Sequence, residues 1–308
     1  METLYITSPA CRQHEMGSWH PECPERLDAV NDHLLASGIM PLLDALESSR
    51  PATEAEVLRV HAPEHLAHLK ALSPASGYAS IDGDTSMNPH TLTAAFEAAG
   101  AGIAAVDALM RGEAVSAFCN VRPPGHHAEA RRAMGFCFFN NVAVAAAHAL
   151  EVHGLSRVAI VDFDVHHGNG TEDIFFDEPR VMMCSFYQHP FYPNLRREGL
   201  RDNMVNVPVD AYTAGFDLRQ VVSDIWIPRL YDFAPQMIFV SAGFDAHRED
   251  EMGQLGMVEG DYAWITDQLV TLAERTAQGR IVSMLEGGYH LSALGRSVVA
   301  HIRSLSKL

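Results

Sequence analysis

From residue 114 onward the chain repeats one unit: an apolar run, a polar loop, then a helix-period segment. The runs are AVSAFCN (114–120), 157–162, 180–187, QMIFVSA (236–242) and RIVSMLE (280–286). Helices are expected between and after them, at 140–152, 214–232, 259–276 and 291–306. The runs are continuously apolar rather than alternating, as in strands buried on both faces. This pattern predicts an α/β fold with a central parallel sheet of about eight strands, helices on both faces, and a single domain over residues 1–308.

The preceding third is expected to hold a strand at 2–7, a polar loop at 8–25 containing His14, His20 and Glu22, and a helix at 25–36. Short helices at 53–60 and 63–72 follow, the first opened by a Thr53–Glu56 capping box. Residues 74–90, rich in Gly, Ser and Asp, read as an exposed loop, and an Ala-rich helix at 89–111 ends at Gly112.

Some function classes are disfavoured. The formal charge of −17 lacks the basic face a nucleic-acid binder carries, so no nucleic-acid partner is expected. No apolar stretch reads as long enough to span a membrane, and the N-terminus lacks a signal-peptide pattern. Five cysteines without a CxxC pair suit a reducing, cytoplasmic setting. A homo-oligomer is left open.

The chemistry collects after the strands, where open α/β sheets bind ligands. The run Val158–Val161 breaks into Asp162, Asp164, His166 and His167, followed by Gly168 and Gly170. Alternation along a strand puts Asp162, Asp164 and His166 on one side. His126 and His127 follow a second strand, Asp245 a third, and Gly287-Gly288-Tyr289 a fourth. Asp164, His166 and Asp245 offer two carboxylates and an imidazole to a divalent ion; zinc suits the set, and iron or cobalt would tolerate it. His126 and His127 are candidate proton carriers, with Asp162 and Asn169 available to orient them, and Tyr289 can donate to an oxyanion. Each assignment has a plainer competitor. A DxDxH stretch can be a solvated loop, a histidine pair can be surface, and Tyr289 can be packing. Asp245 can cap the 259–276 helix, Phe136, Cys137 and Phe138 can be core, and Arg26 can be a surface ion pair. Four such clusters on one rim are hard to account for that way.

Taken together, HPECPERL (20–27), RPPGHHA (122–128), GFCFFNNVAVAA (135–146), VDFDVHHGNGT (161–171), SAGFDAH (241–247) and EGGY (286–289) make the chain resemble the histone deacetylase and acetylpolyamine amidohydrolase family, of the arginase–deacetylase fold. Asn169 and Glu286 make it similar to the class II-like branch. The resemblance implies that Asp164, His166 and Asp245 bind Zn²⁺ and that His127, oriented by Asn169, is general base and then acid. His126, paired with Asp162, would tune electrostatics, and Tyr289 would polarise the acyl carbonyl. Gly135, Phe136, Tyr192, Met252 and Gly288 would form the substrate tunnel, with Arg26 behind it near an acetate-exit cavity. A structural K⁺ would take oxygens from Asp162, Asp164, His166, Ser185 and Phe186.

There are departures from the family pattern. Tyr192 stands where Phe is usual, the loop after it lacks the usual glycines, and Glu251 stands where Pro is usual. Met252 occupies a position that is acidic in polyamine-selective relatives. His247 replaces the extra metal-binding Asp of the arginase branch, and the short chain implies a trimmed rim where Asp82 or Asp84 would hold substrate. The implied activity is zinc-dependent, water-driven deacetylation of acetylated or short-acylated lysine in proteins or peptides. Acetylated polyamine is the alternative substrate, and a catalytically weak acyl-lysine binding module is the non-enzymatic alternative.

Overall fold

The computed structural model describes residues 3–47, 50–195, 199 and 201–308. Residue 2 of the expected first strand and part of the loop after Tyr192 lie outside the described residues. The first half of the chain contains β1 (Thr3–Thr7), α1 (Glu25–Ala36), β2 (Asp44–Glu47), α2 (Glu54–Val57), α3 (Pro63–Leu72), β3 (Ala79–Ser80), β4 (Ser86–Met87), α4 (Thr91–Arg111), β5 (Ser116–Asn120) and α5 (Asn141–Glu151). The second half contains β6 (Val158–Asp162), α6 (Asn169–Phe175), β7 (Val181–Gln188), β8 (Met204–Val209), α7 (Gly215–Val221), α8 (Ile227–Phe233), β9 (Ile238–Ala242), α9 (Glu259–Thr276), β10 (Ile281–Leu285) and α10 (Leu291–Ser306).

Eight parallel strands form one sheet in the order β2-β1-β5-β10-β9-β6-β7-β8. The five residues of each of β5, β6, β9 and β10 are all buried, because helices cover both faces. Adjacent residues of β10 display the two layers. Ser283 Oγ lies 2.8 Å from His301 Nε2 on α10, whereas Met284 faces the other way, against Gly102 of α4 and Ala145 of α5. α4 ends at Gly112 with φ 74°, a left-handed cap that a residue with a Cβ disfavours. By length and composition α4 could cross a membrane, contrary to the sequence expectation, but 67% of that window is buried inside the fold. It is a core helix of this sheet.

Four features depart from expectation. β2 and β8 lie outside the apolar runs of the sequence: both are edge strands, β2 fully exposed and β8 half-buried with Pro208, so neither carries the apolar run of a central strand. The expected helix at 214–232 divides into α7, a π turn at Val222–Trp226, and α8, where Pro228 supplies no N–H to continue the ladder. The 74–90 segment is not wholly an exposed loop. It carries the β3–β4 hairpin, with Thr85 and Met87 buried. Finally, α6 begins directly within the HHGNGT motif.

The Thr53 capping box forms as read: Thr53 Oγ1 accepts from Glu56 N at 3.3 Å, and Glu56 Oε2 accepts from Thr53 N at 2.7 Å. Arg50 closes a two-point ion pair on Glu56, and that pairing, against burial, holds the carboxyl down at about 2. A depressed carboxyl stabilises the fold above its unfolded value of about 4.3, and the contribution fades as pH falls toward 2. Glu56→Gln is therefore expected to lower Tm at pH 7 and to lower it less at pH 3.5. A constant gap in calorimetry would exclude this linkage.

Candidate active site

The strands that carry the chemistry, β5, β10, β9 and β6, are consecutive in the sheet. All run parallel, so the loops leaving their carboxyl ends meet over one edge. Asp164 and His166 follow β6, Asp245 follows β9, Gly287–Tyr289 follow β10, and His126 and His127 follow β5. The ligating atoms of Asp164, His166 and Asp245 lie within 4.8 Å of one another, and all three residues are buried. His166 Nδ1 is 3.1 Å from both Asp164 Oδ1 and Asp245 Oδ2. Backbone donors hold the carboxylates: Val165 N to Asp245 Oδ1 at 2.9 Å and Gly287 N to Asp164 Oδ2 at 2.9 Å. Gly243 and Gly287 make this approach possible, since a Cβ at either would overlap the carboxylate oxygens of Asp164 or Asp245.

The electrostatics fit a divalent cation. Among the described residues, only histidines form ion pairs with these two carboxylates. Burial, then the charge of Asp164, pushes Asp245 up to about 7. Against burial, hydrogen bonds to the two carboxylates raise His166 to about 10. Buried like charges of this kind are costly unless a cation joins them. A second cluster, Asp107, His148 and His153, is different. Both Nε2 atoms lie 2.7 Å from Asp107 Oδ1, but Arg59 donates to His148 Nδ1, which leaves the His148 proton on Nε2. That is a hydrogen-bonded set rather than three free ligands. His247 faces Glu259 at 3.6 Å, and Asp261, not Asp245, caps α9 by accepting from Val258 N at 2.8 Å.

The adjacent histidines differ in their surroundings. His126 Nδ1 is 2.9 Å from Asp162 Oδ2; burial opposes its charge, but Asp164 and Asp162 carry it well above its ordinary range. His127 Nδ1 is 2.8 Å from Asn169 Oδ1, and burial, followed by the charges of His126 and His166, takes it well below. The two surroundings push the adjacent rings in opposite directions, the kind of separation that gives paired groups distinct roles in acid–base sites. Their loop is pinned from two sides. Glu286 Oε2 accepts from Gly125 N at 2.7 Å and His126 N at 3.0 Å, and Gly170 N donates to the His126 carbonyl at 3.0 Å. Glu286, read from sequence only as a branch marker, is this anchor; burial pushes it up to about 7.

A cavity of about 240 Å³ opens onto His127 and His166. Gly135, Phe136, Phe191, Tyr192 and Tyr289 wall it, and Asp84, Glu251 and Met252 line it further out. Gly135 and Phe136 are both left-handed, with φ 57° and 68°, and a Cβ at Gly135 would stand 2.5 Å from His127 Cδ2. Phe136 meets Tyr289 edge-on at 5.9 Å, and Phe136 N donates to Thr85 Oγ1 at 3.1 Å, which ties the wall to the β3–β4 hairpin. Burial, then the charge of Asp245, keeps the Tyr289 phenol protonated. Phe191, not anticipated, stacks on His166 at 5.4 Å; only its place in HPFYP could have drawn notice.

Other expected residues fall elsewhere. Gly288 is not in the wall: it is buried, with its carbonyl accepting from Arg26 Nε at 2.6 Å. Arg26 is buried rather than superficial, 5.0 Å over the Tyr289 ring and 3.0 Å from Glu22 Oε1. Asp82 caps its own turn by accepting from Asp84 N and Thr85 N, so Asp84 is the acid that reaches the cavity. Ser185 pairs in register with Asp162 and donates to Asn206 Oδ1 at 2.8 Å, while Phe186 is buried against Trp226. A larger groove of about 730 Å³ between α9 and α10 has no histidine or cysteine in its lining.

A family profile described as "Histone deacetylase domain" matches residues 20–305. The chain is 37% identical to the "Histone deacetylase-like amidohydrolase" of Pseudomonas aeruginosa over 93% of this chain and 77% of that one. It is 38% identical to the "Polyamine deacetylase HDAC10" of Homo sapiens over 92% of this chain and 45% of that one. The crystal structure of the HDA15 HD domain superposes with a TM-score of 0.92 at 33% identity, covering 100% of this chain and 90% of that one.

Proposed function

This chain belongs to the histone deacetylase family, and we propose that it is a zinc-dependent amidohydrolase that removes acetyl or another short acyl group from a lysine side chain. The observation that carries the reading is the buried Asp164–His166–Asp245 cluster, whose His166 lines one cavity together with His127 and Tyr289. Those three residues would hold the ion, which when bound polarises a carbonyl and acidifies a water. His127, neutral with its Nδ1 proton directed to Asn169, takes a proton from the attacking water on Nε2 and returns it to the departing amine. Cationic His126 stays charged beside Asp162 and favours negative charge developing nearby. The Tyr289 phenol donates to the forming oxyanion. Phe136, Phe191 and Tyr192 exclude water around an alkyl chain. Asp162, Ser185, Phe186 and the carbonyls of Asp164 and His166 would hold K⁺ beneath the β6 loop.

A second reading, deacetylation of acetylpolyamines, is favoured by one observation: Glu251 and Asp84 both line the cavity, where a further ammonium group would meet them. The deciding test is kcat/KM of the zinc-loaded protein on an acetyl-lysine peptide and on a monoacetylated diamine. Preference for the peptide supports the first reading and preference for the diamine the second. Turnover of neither, with metal bound, overturns both. Glu251→Gln is expected to lower kcat/KM for the diamine by about two- to five-fold, the scale of one exposed ion pair, and to spare the peptide. Equal losses on both substrates would remove Glu251 from substrate selection.

A further inference from the structure

The orientation of Asn169 decides which nitrogen of His127 is free. A side-chain amide presents an oxygen on one side and an NH₂ on the other, and an imidazole can match either by moving its proton. With the NH₂ toward His127, Nδ1 would accept, the proton would sit on Nε2, and the ring could take no proton from the cavity. His127 and Asn169 alone allow both arrangements.

The choice is made by the next residue out. Asn169 Nδ2 lies 2.8 Å from Glu129 Oε1, and a carboxylate only accepts. Met134 Sδ at 3.4 Å and the His127 carbonyl at 3.5 Å, also acceptors, face the same nitrogen. Glu129 is itself held. Arg132 Nη2 donates to Oε1 at 3.1 Å, Glu129 N donates to Arg132 O at 2.9 Å, and Ala130 N donates to Asp173 on α6 at 3.0 Å. The tight turn at 129–132 is therefore docked on the helix that begins with Asn169. His61 Nδ1 lies 3.0 Å from the Glu129 carbonyl and steadies the turn from behind.

We propose that Glu129 is a positioning residue for proton transfer: its carboxylate locks the Asn169 amide with Oδ1 toward His127, which keeps the His127 proton on Nδ1 and leaves Nε2 open to the cavity. This rests on reading His127 as the base. Through the cycle Nε2 gains one proton and gives it back, while the Nδ1 proton stays with Asn169. The competing account makes Glu129 a structural element of its turn, through Arg132.

A reciprocal exchange separates the two. In Glu129→Gln the side chain facing Asn169 can donate as well as accept, so the lock weakens. In Asn169→Asp two carboxylates face each other. In the double variant the new amide at position 129 can donate to one oxygen of the new carboxylate at position 169, while the other oxygen accepts from His127 Nδ1. That rebuilds the lock with roles reversed. Each single variant is expected to lose about 10–100-fold in kcat with KM little changed, the scale of an outer partner of a catalytic group. The double is expected to recover to within several-fold of the parent. Arg132→Ala, which loosens the turn but keeps the Glu129–Asn169 bond, is expected to keep kcat within about two-fold. The ¹⁵N histidine spectrum, with His127 assigned by its loss in His127→Ala, should show a single Nδ1–H tautomer in the parent and a mixture in Glu129→Gln. That readout needs no turnover, so it stands even if the substrate reading fails. A double variant no better than the singles, an unchanged tautomer, or Arg132→Ala as damaging as Glu129→Gln would each overturn the proposal.

Discussion

His127→Ala is expected to lower kcat by about 10²–10⁴, the range for a lost general acid–base, and to do so more completely than His126→Ala at neutral pH. The two rings are 4.0 Å apart, in one loop, and both buried, so composition cannot tell them apart. Their partners can. A carboxylate at 2.9 Å keeps His126 charged, and a charged imidazole has no lone pair with which to accept a proton. Burial, with His126 and His166 alongside, pushes His127 the other way, toward the neutral ring, and its Nδ1 faces the Asn169 amide oxygen at 2.8 Å. His126→Ala removes a ring held by Asp162 but not the proton carrier. If His126→Ala were the more damaging change, the two assignments would be exchanged.

Tyr289→Phe is expected to lower kcat by about 10²–10³, as for a lost oxyanion donor, with bound metal unchanged. The ring would keep its packing against Phe136 and beneath Arg26, because neither contact involves the hydroxyl. A loss confined to kcat, with metal content steady by elemental analysis, supports the assignment. Unchanged turnover would remove Tyr289 from the chemistry, and loss of metal would show that the phenol supports the ligand set instead.

What was legible in the sequence follows physical rules. α1, α9 and α10 fall on the residues read for them, and the amphipathic period is strongest in α10. Asp164, His166 and Asp245 could be read because carboxylates and imidazole directly after apolar strands have few inexpensive structural uses. The hidden parts are those whose meaning depends on a partner far away in the chain. β2 and β8 carry edge-strand composition, which resembles loop. Glu129 in HAEARR looks like a solvated acid, and only the fold brings it to Asn169. The family resemblance puts Gly288 in the tunnel wall, whereas in the fold it has a left-handed φ of 119° and its carbonyl accepts from the buried Arg26.

The strand order has a consequence for biogenesis. β9 and β10, which leave a ribosome after the six other strands of this sheet, insert at its centre, between β6 and β5. Until they arrive, the nascent chain has two separate half-sheets, each with an unpaired apolar edge. Asp245 arrives with β9 and the Gly287 N–H with β10, so the earlier segments alone cannot assemble the Asp164–His166–Asp245 cluster. Pairing between distant segments is slow to form, because loop closure must precede it. A chain stopped before residue 281 would lack the middle of its sheet rather than a border, and the apolar flanks of β5 and β9 would be left to chaperones or to one another.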